Sequence, residues 1–377
     1  MLPCQRAHFD IPEGVSYLAA ASQGPLPRSV REAGQNGLAT KSAPWRRGPT
    51  MGVDLAEAAR AAAARLVGAG ADDIAIVPAA SYGIATAGRN LPLDARARVL
   101  VLEGEHSSQH LEWVRLTRAR NAMLDIVPRP ADGDWTSAVL AAIERPGAPP
   151  VAIAALTPLH WSDGAVVDLD AIAPVLRRQG AALVIDATQG AGVLPMDVRR
   201  LQPDFMVFPT YKWLLGSYSF AFLYAAPHRQ EGQPIEQTGQ ARAEAPGSID
   251  PPYLAGARRY DMGERDGFTA LPMAIEALRL NAEWTPEGIR ERCRHLTDLL
   301  AERAEALGLA TVERRFRAPH VLGLRVPGGA TRVFDALTAA DVHTNLRQGV
   351  LRVAPHVYSD EADVERFAAA LARAMAD

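Results

Sequence analysis

The sequence predicts an α/β fold with a mainly parallel sheet flanked by helices, followed by a smaller α+β domain. Strand and helix signals alternate from about residue 50 to 225, as a doubly wound sheet requires. After residue 225 this alternation stops, and helical segments with only short strands follow. The 377 residues exceed what one ordinary domain needs, and 48% of them are hydrophobic, which is enough for a large core.

The elements of the first region are predicted from short apolar runs and amphipathic stretches. In chain order they are a helix over Leu55–Val67, strands over Ile74–Pro78 and Val99–Leu102, a helix over Thr136–Glu144, a strand over Val151–Leu156, a helix over Leu169–Gln179, and strands over Ala182–Ile185, Phe205–Phe208 and Phe220–Tyr224. In open α/β sheets ligands bind beyond the carboxyl ends of the strands, so polar residues at those ends are the candidate site.

The second region begins with residues 230–252, a polar stretch with Gly and Pro that reads as a long loop or lid. It continues with helices over Pro272–Ala282 and Pro286–Leu307, strands over Val321–Arg325 and Val350–Val353, and a last helix over Glu361–Ala374. We therefore predict three parts: residues 1–30 join the small domain, 31–260 form the large ligand-binding domain, and 261–377 form the small domain.

Composition argues against several classes of protein. A net charge of −3 leaves no basic surplus for nucleic acid. The two cysteines, Cys4 and Cys293, lie far apart, which argues against a disulfide framework or a zinc site and predicts no metal. No apolar stretch is long enough to span a membrane, and residues 1–10 show no signal pattern. We expect a cytoplasmic protein without a nucleic-acid or membrane partner.

Lysine is nearly absent from the chain. It occurs only at Lys41 and Lys212, so almost all of the 40 lysine and arginine residues are arginine. A lysine kept against this bias suggests a chemical reason, because a primary amine condenses with an aldehyde and a guanidinium group does not. Lys41 lies in a polar stretch and reads as an ordinary surface residue. Lys212 follows Tyr211 shortly after a predicted strand.

Asp186 and Gln189 follow the strand over Ala182–Ile185 and precede Lys212 in the chain. A carboxylate at a buried strand end is costly unless it meets a cation, and the protonated ring nitrogen of pyridoxal 5'-phosphate is one. Gln189 is placed to reach the ring hydroxyl. The alternative readings are a helix N-cap for Asp186 and ordinary loop hydrogen bonds for Gln189.

Three further candidates are weaker when taken alone. Ser81 and the amide of Ala80 precede a predicted helix, where a phosphate binds well, although a simple N-cap serine fits equally. His106 follows the strand over Val99–Leu102, where its ring would stack on an aromatic cofactor unless it is merely solvated. Arg352 lies between apolar residues and needs an anion, either a substrate carboxylate or a core aspartate.

Taken together, these segments resemble the class V aminotransferase family of fold type I enzymes, which depend on pyridoxal 5'-phosphate. The family includes cysteine desulfurases, kynureninase and isopenicillin N epimerase. The resemblance runs from the segment at Tyr17 to that of Arg352, and its most specific part is the spacing of Asp186, Gln189, Asp197 and Lys212. It implies a homodimer with shared active sites and an amino acid as its small-molecule substrate.

The resemblance also implies a role for each candidate. Lys212 carries the cofactor as a Schiff base and is the catalytic residue, and Arg352 holds the substrate carboxylate. The remaining residues of the predicted cofactor site are Asp186, Gln189, His106, Ala80, Ser81, Tyr211 and Thr188. Trp161 lines the substrate pocket or is only core, and Arg265, after Gly263 and Glu264, takes over a phosphate contact that a partner-subunit threonine makes in relatives.

One difference from the family pattern narrows the set of possible reactions. Desulfurases of the family need a cysteine shortly before the carboxylate-binding arginine, and no cysteine follows Cys293. A desulfurase is therefore disfavoured, and the frequency of reactions in the family it resembles favours an aminotransferase, with a Cβ lyase or an epimerase as alternatives. A nicotinamide-dependent oxidoreductase is disfavoured because no strand end carries a glycine-rich GxGxxG turn. A non-catalytic binding protein of the same fold is disfavoured because Lys212, Asp186 and Arg352 are all present.

Overall fold

The structure is a computed structural model that describes residues 1–376. Its α-helices are α1 (Arg28–Ser42), α2 (Met51–Val67), α3 (Ala80–Asn90), α4 (Ser107–Arg120), α5 (Trp135–Ile143), α6 (Leu169–Arg178), α7 (Val198–Leu201), α8 (Ala270–Trp284), α9 (Pro286–Ala306), α10 (Ala330–Ala339) and α11 (Glu361–Ala376). Within these residues, none of the helices combines the length and the apolarity that a membrane crossing requires.

The strands are β1 (Ser16–Tyr17), β2 (Ile74–Val77), β3 (Arg98–Leu102), β4 (Met123–Val127), β5 (Val151–Leu156), β6 (Ala182–Asp186), β7 (Phe205–Pro209), β8 (Ala221–Ala225), β9 (Ala310–Thr311), β10 (Leu322–Arg325), β11 (Val342–His343), β12 (Asn345–Arg347) and β13 (Val350–Val353). Seven of them form one large sheet in the order β2-β8-β7-β6-β5-β3-β4. Strand β8 runs antiparallel to both β2 and β7, whereas the pairs from β7 to β4 are parallel. The sheet is mainly parallel, as predicted.

Helices cover both faces of this sheet, which explains why its central strands are continuous apolar runs. Four of the five residues of β6 and all of β7 are apolar, and every residue of both strands is buried. Apolar residues of α2, α5, α6 and α8 pack on one face, and those of α3 and α4 pack on the other. Asp186, the last residue of β6, is the exception to this apolar pattern.

A second sheet is antiparallel and has the order β12-β13-β10-β9. Helices α9, α10 and α11 contribute apolar residues to a core on this sheet. The N-terminal segment bonds to the same region, because β1 pairs in parallel with β11 and Ala19 bridges to Ala354. The three domain boundaries predicted from the sequence stay a prediction.

The segment 230–252 contains one short 3-10 helix, Gly239–Ala241, and is otherwise irregular. The elements without a counterpart among the sequence expectations are α1, α4, α7, α10, β1, β4, β9, β11 and β12. Helix α1 buries glycines against its neighbours, and a Cβ atom at Gly37 would overlap the carbonyl oxygen of Phe268. Since close backbone approach rather than a large apolar face holds this helix, hydrophobic periodicity does not reveal it.

Candidate active site

The carboxyl ends of four neighbouring strands, β3, β5, β6 and β7, meet at one edge of the large sheet. They open into a cavity at the place where open α/β sheets bind their ligands. The lining residues from these strand ends and their loops are Glu105, His106, Ser108, Thr157, Leu159, Trp161, Asp186, Thr188, Gln189, Tyr211 and Lys212, and Ala80 completes the wall from the start of α3. Eight of the predicted site residues therefore share one cavity.

Lys212 lies in the loop between β7 and β8, and its side chain is partly buried. Its Nζ atom lies 5.4 Å from the ring centroid of Tyr211. Burial, together with nearby Arg352 and Arg347 and against the opposing effect of Asp186, lowers the pKa of Lys212 to about 8. A lysine with a lowered pKa is a better nucleophile and base near neutral pH than an exposed one.

Asp186 is 6% exposed at the end of β6, and its Oδ1 atom accepts a hydrogen bond of 2.9 Å from the backbone N of Thr188. This bond closes a turn, and no helix begins here, so the N-cap reading of Asp186 is wrong. Within residues 1–376 no cationic side chain lies within 4.0 Å of its carboxylate, although other buried aspartates of the chain have such a partner. The hydroxyl of Thr188 is also buried, and it has no hydrogen-bond partner within residues 1–376.

Gln189 is buried beside these residues and is held at both ends of its amide. Its Nε2 atom donates to the carbonyl oxygen of Ala21 at 3.0 Å, and its Oε1 atom accepts from Nε1 of Trp213 at 2.8 Å. The amide nitrogen has two hydrogens, so one N–H group remains for a ligand in the cavity. The predicted contact with a ring oxygen stays a prediction.

Aromatic side chains form the wall opposite the strand ends. His106 caps α4, with its Nδ1 atom accepting from the backbone N of Ser108 at 3.2 Å. Its ring lies edge-on to that of Trp161, with ring centroids 5.2 Å apart. Tyr211 packs edge-on against Tyr218, and burial raises the pKa of its phenol to about 12.

The first turn of α3 supplies free backbone N–H groups at one end of the cavity. Ala79 is the N-cap of this helix and has no side-chain hydrogen bond to it, so the N-cap reading of Ser81 is wrong. Ala80 lines the cavity, whereas Ser81 is exposed one residue further on. A helix N-terminus with unpaired N–H groups favours an anion such as a phosphate.

Arg352 lies on β13 and is 2% exposed. Its guanidinium donates to the carbonyl oxygen of Trp161 at 2.5 Å and to Oδ1 of Asn345 at 3.4 Å, and its Nε atom has no partner. The expected alternative, an ion pair with a core aspartate, is wrong, because no carboxylate in residues 1–376 lies within 4.0 Å. Burial lowers the pKa of Arg352 to about 9.

Arg265 lies outside this cavity. Its guanidinium donates to the carbonyl oxygen of Gln240 at 2.5 Å, and its Nε atom lies 3.1 Å from the carboxylate of Asp261. It does not contact the predicted phosphate-binding turn of its own chain at Ala80 and Ser81. A role for Arg265 in the site of a second subunit stays a prediction.

Glu105 is a member of the cavity that sequence reasoning missed. It accepts a hydrogen bond of 2.8 Å from the backbone N of His106 and lies 3.4 Å from the hydroxyl of Thr157. Burial raises the pKa of Glu105 to about 8, and the nearby charge of Asp186 adds to the rise. The signal was available, because Glu105 lies beside His106 just beyond the end of β3.

The chemistry of these residues fits pyridoxal 5'-phosphate. The cavity offers a lysine amine, a buried carboxylate without a cation, and helix N–H groups without partners, which suit the aldehyde, the ring nitrogen and the phosphate of that cofactor. This set of groups is the one that defines enzymes dependent on pyridoxal phosphate.

The comparisons with known proteins agree with the site. The model of the family Aminotransferase class-V matches residues 16–367. An uncharacterized aminotransferase of Bacillus subtilis is 26% identical over 93% of this chain and 91% of its own length. The isopenicillin N epimerase of Streptomyces clavuligerus is 27% identical over 95% of this chain and 94% of its own length.

Among solved structures, the apo cysteine desulfurase of Thermococcus onnurineus is similar with a TM-score of 0.87. It is 18% identical, and the match covers 99% of this chain and 98% of that one. The chain belongs to the class V aminotransferase family, as its resemblance predicted. It is an enzyme, and its cofactor is pyridoxal 5'-phosphate.

Proposed function

We propose that this enzyme is an aminotransferase that acts on an amino acid, with Lys212 as the catalytic base. The observation that carries the proposal is the placement of Lys212, with its lowered pKa, in one cavity with Asp186 and beside the unpaired Arg352. When bound, pyridoxal phosphate supplies an electron sink for the pair left behind at the substrate Cα atom.

The side chains of the cavity divide the remaining work. Arg352 binds the α-carboxylate through its fork of N–H groups, which fixes the position of the Cα–H bond. The Nζ atom of Lys212 would remove the Cα proton and hold it for return to the carbon that was the cofactor's aldehyde. Asp186 would pair with the ring nitrogen, and its buried position would strengthen that interaction. The aromatic side chains of His106 and Trp161 would pack against a planar ring.

A second candidate is Cβ elimination or epimerisation, which the same cofactor residues support. The similarity to an isopenicillin N epimerase over most of both chains supports this second candidate. Desulfurase chemistry through an enzyme persulfide lacks its nucleophile in this chain. Cys293 is fully buried in α9 and its Sγ atom lies 3.6 Å from the carbonyl oxygen of Pro355, while Cys4 is exposed near the N-terminus.

The arrangement of subunits is part of the proposal. We infer a homodimer in which the segment at Gly263 and Glu264 reaches the site of the partner. This inference rests on the family to which the chain belongs. The segment has a defined backbone, because Gly263 donates its N–H to the carboxylate of Glu236 and Glu264 adopts a φ of 56°. Sedimentation analysis tests the dimer, and a monomer with full activity would contradict it.

The test of function uses the protein loaded with pyridoxal phosphate and a panel of amino acids. Transamination produces pyridoxamine phosphate and a keto acid, elimination produces ammonia and a keto acid, and epimerisation removes optical rotation. We expect pyridoxamine phosphate as the main product. If ammonia or loss of rotation accounts for the turnover instead, the aminotransferase proposal is wrong and the second candidate replaces it.

The matched variants are Lys212→Ala and Lys41→Ala, because these are the two lysines of the chain. Lys212→Ala should lose both the covalent link to the cofactor, measured by borohydride trapping and mass spectrometry, and all turnover. Lys41→Ala should behave as the parent protein, since Lys41 is exposed at the end of α1. Trapped cofactor on any other residue would overturn the role of Lys212.

A further inference from the structure

A second arginine, Arg347, lies beside Arg352 on the antiparallel sheet. Asn345 of β12 pairs with Arg352 of β13, and Arg347 pairs with Val350. Directly paired residues project from the same face of a sheet, and so do residues two apart on one strand. Arg347 and Arg352 are therefore diagonal neighbours on one face, with their Cβ atoms about 7–8 Å apart.

The turn between the two strands fixes this arrangement. Gln348 and Gly349 both have positive φ values, 49° and 76°, as a tight two-residue hairpin turn requires. The side chain of Gln348 donates to the carbonyl oxygen of Gly104 at 3.0 Å, which ties the tip of the hairpin to the loop that carries His106. The hairpin thus presents Arg347 at the edge of the site described above.

Arg347 has no acidic partner. Its guanidinium donates to Oγ of Ser22 at 3.2 Å and to the carbonyl oxygen of Leu346 at 2.9 Å. No carboxylate within residues 1–376 lies within 4.0 Å of it, whereas Arg60, Arg98, Arg129 and Arg258, which are buried or partly buried, each pair with a carboxylate. It is near enough to the site to lower the pKa of Lys212 and of His106.

Two guanidinium groups without carboxylate partners offer more N–H donors than the lone pairs of one α-carboxylate accept. Each offers a planar fork of donors that binds a carboxylate in two-point fashion. A molecule held at Arg352 by its α-carboxylate has its side chain free to reach the neighbouring fork. The aromatic and neutral groups of the wall, Trp161 and Tyr211, offer no competing cation there.

We infer that Arg347 and Arg352 form a two-cation site that selects amino acids with a second acid group on the side chain, such as aspartate and glutamate. Arg352 takes the α-carboxylate, and Arg347 takes the distal one. The inference rests on the proposed function for the role of Arg352 and adds the class of substrate. Neutral isosteres, asparagine and glutamine, lack the charge that Arg347 binds.

Binding is measured first, without turnover. Isothermal titration of the cofactor-loaded protein compares the diacids succinate and glutarate with the monoacids butyrate and valerate. We expect the diacids to bind about tenfold or more tightly than the monoacids, as a charge-assisted pair provides. Equal binding of diacids and monoacids overturns the inference.

Variants then assign the preference to one side chain. Arg347→Gln should abolish the preference for diacids and leave monoacid binding unchanged, and Arg347→Lys should keep part of it. The control is Arg325→Gln, because Arg325 also pairs with Val350 but is exposed in a separate cleft with Asp132. If Arg347→Gln weakens both kinds of acid equally, the two arginines bind one carboxylate and the inference is wrong.

Kinetics separate this inference from the proposed function. We expect kcat/KM for aspartate or glutamate to exceed that for asparagine or glutamine about tenfold or more, and Arg347→Gln to remove the difference. Transamination of neutral amino acids with no diacid preference would sink the inference alone. Diacid binding that follows Arg347 without any pyridoxamine phosphate formation would sink the proposed aminotransferase reaction alone.

Discussion

Two buried arginines in this enzyme have opposite surroundings. Arg60, under the edge of the large sheet, is 0% exposed and binds both carboxylate oxygens of Asp261 at 3.0 and 2.7 Å. Arg352, on the second sheet, is 2% exposed and meets only a backbone carbonyl and an amide oxygen. The first arginine is satisfied by the fold itself, whereas the second is left for an anion that the fold does not contain.

Loss of the Arg60 pair would affect the stability of the fold, whereas the unpaired Arg352 is available to bind a ligand. A buried ion pair contributes little net stability, but removal of one partner leaves an uncompensated charge and destabilises strongly. A buried cation without a partner already has that cost in the folded state. Such a residue is expected where function requires it, because a site shaped for a ligand is rarely the most stable arrangement.

The largest effect is expected at the paired site. Asp261→Asn removes the buried carboxylate between Arg60 and Arg265 and leaves them only the more exposed Glu57 and Asp266, so we expect a loss of about 3–5 kcal/mol in the free energy of unfolding. Calorimetry of the cofactor-free protein measures it as a fall in Tm. The matched control is Asp250→Asn, which breaks the exposed pair with Arg242 and should cost less than about 1 kcal/mol. Equal falls in Tm for the two variants would show that the buried pair matters no more for stability than the exposed pair.

At the unpaired site the effect should fall on binding. Arg352→Gln removes the α-carboxylate clamp, so we expect KM for amino acids to rise about 10- to 100-fold. The Tm should stay the same or rise, because an unpaired buried charge is removed. Steady-state kinetics and calorimetry on the same preparations give both values. A clear fall in Tm with unchanged KM would show that Arg352 supports the fold rather than the substrate.

A smaller effect links Arg352 to Lys212. The pKa of Lys212 is lowered to about 8, and only the uncharged amine above that pH condenses with an aldehyde. We therefore expect the rate of covalent cofactor uptake by the apoprotein to rise with pH and level off above about 8. Arg352→Gln removes a cation that lowers this pKa, so the midpoint should move to higher pH.

Stopped-flow absorbance across a pH series measures this uptake. The control is Arg325→Gln, which leaves the charges around Lys212 unchanged and should leave the midpoint in place. A rate that does not depend on pH in the parent protein would contradict the lowered pKa.

The sequence predicted the sheet well because its central strands are buried on both faces. Strand β5 was predicted with its observed bounds, and β6 and β7 were each short by one residue. Helix α4 was missed because its sequence is mostly polar, and only four of its residues are buried. Helices that pack through glycine and strands at a sheet edge show too weak a hydrophobic periodicity to be predicted from the sequence.

The site was predictable where its residues follow strands directly. Asp186 ends strand β6, and His106 and Lys212 follow the ends of β3 and β7, so the rule that ligands bind at the carboxyl ends of parallel strands predicted them together. Arg347 was not predicted, because its nearness to Arg352 depends on the register of β12 against β13. A shift of that register by one residue would turn Arg347 to the other face, and sequence alone does not set it.

The scarcity of lysine also makes this enzyme easy to monitor. A lysine-specific protease can cut the unfolded chain only after Lys41 and Lys212. After borohydride reduction, a lysine that carries the cofactor is no longer a substrate for that protease, while Lys41 is cut in every molecule. The fraction of chains left intact at Lys212 is therefore a direct count of occupied sites, with the cut at Lys41 as its internal standard.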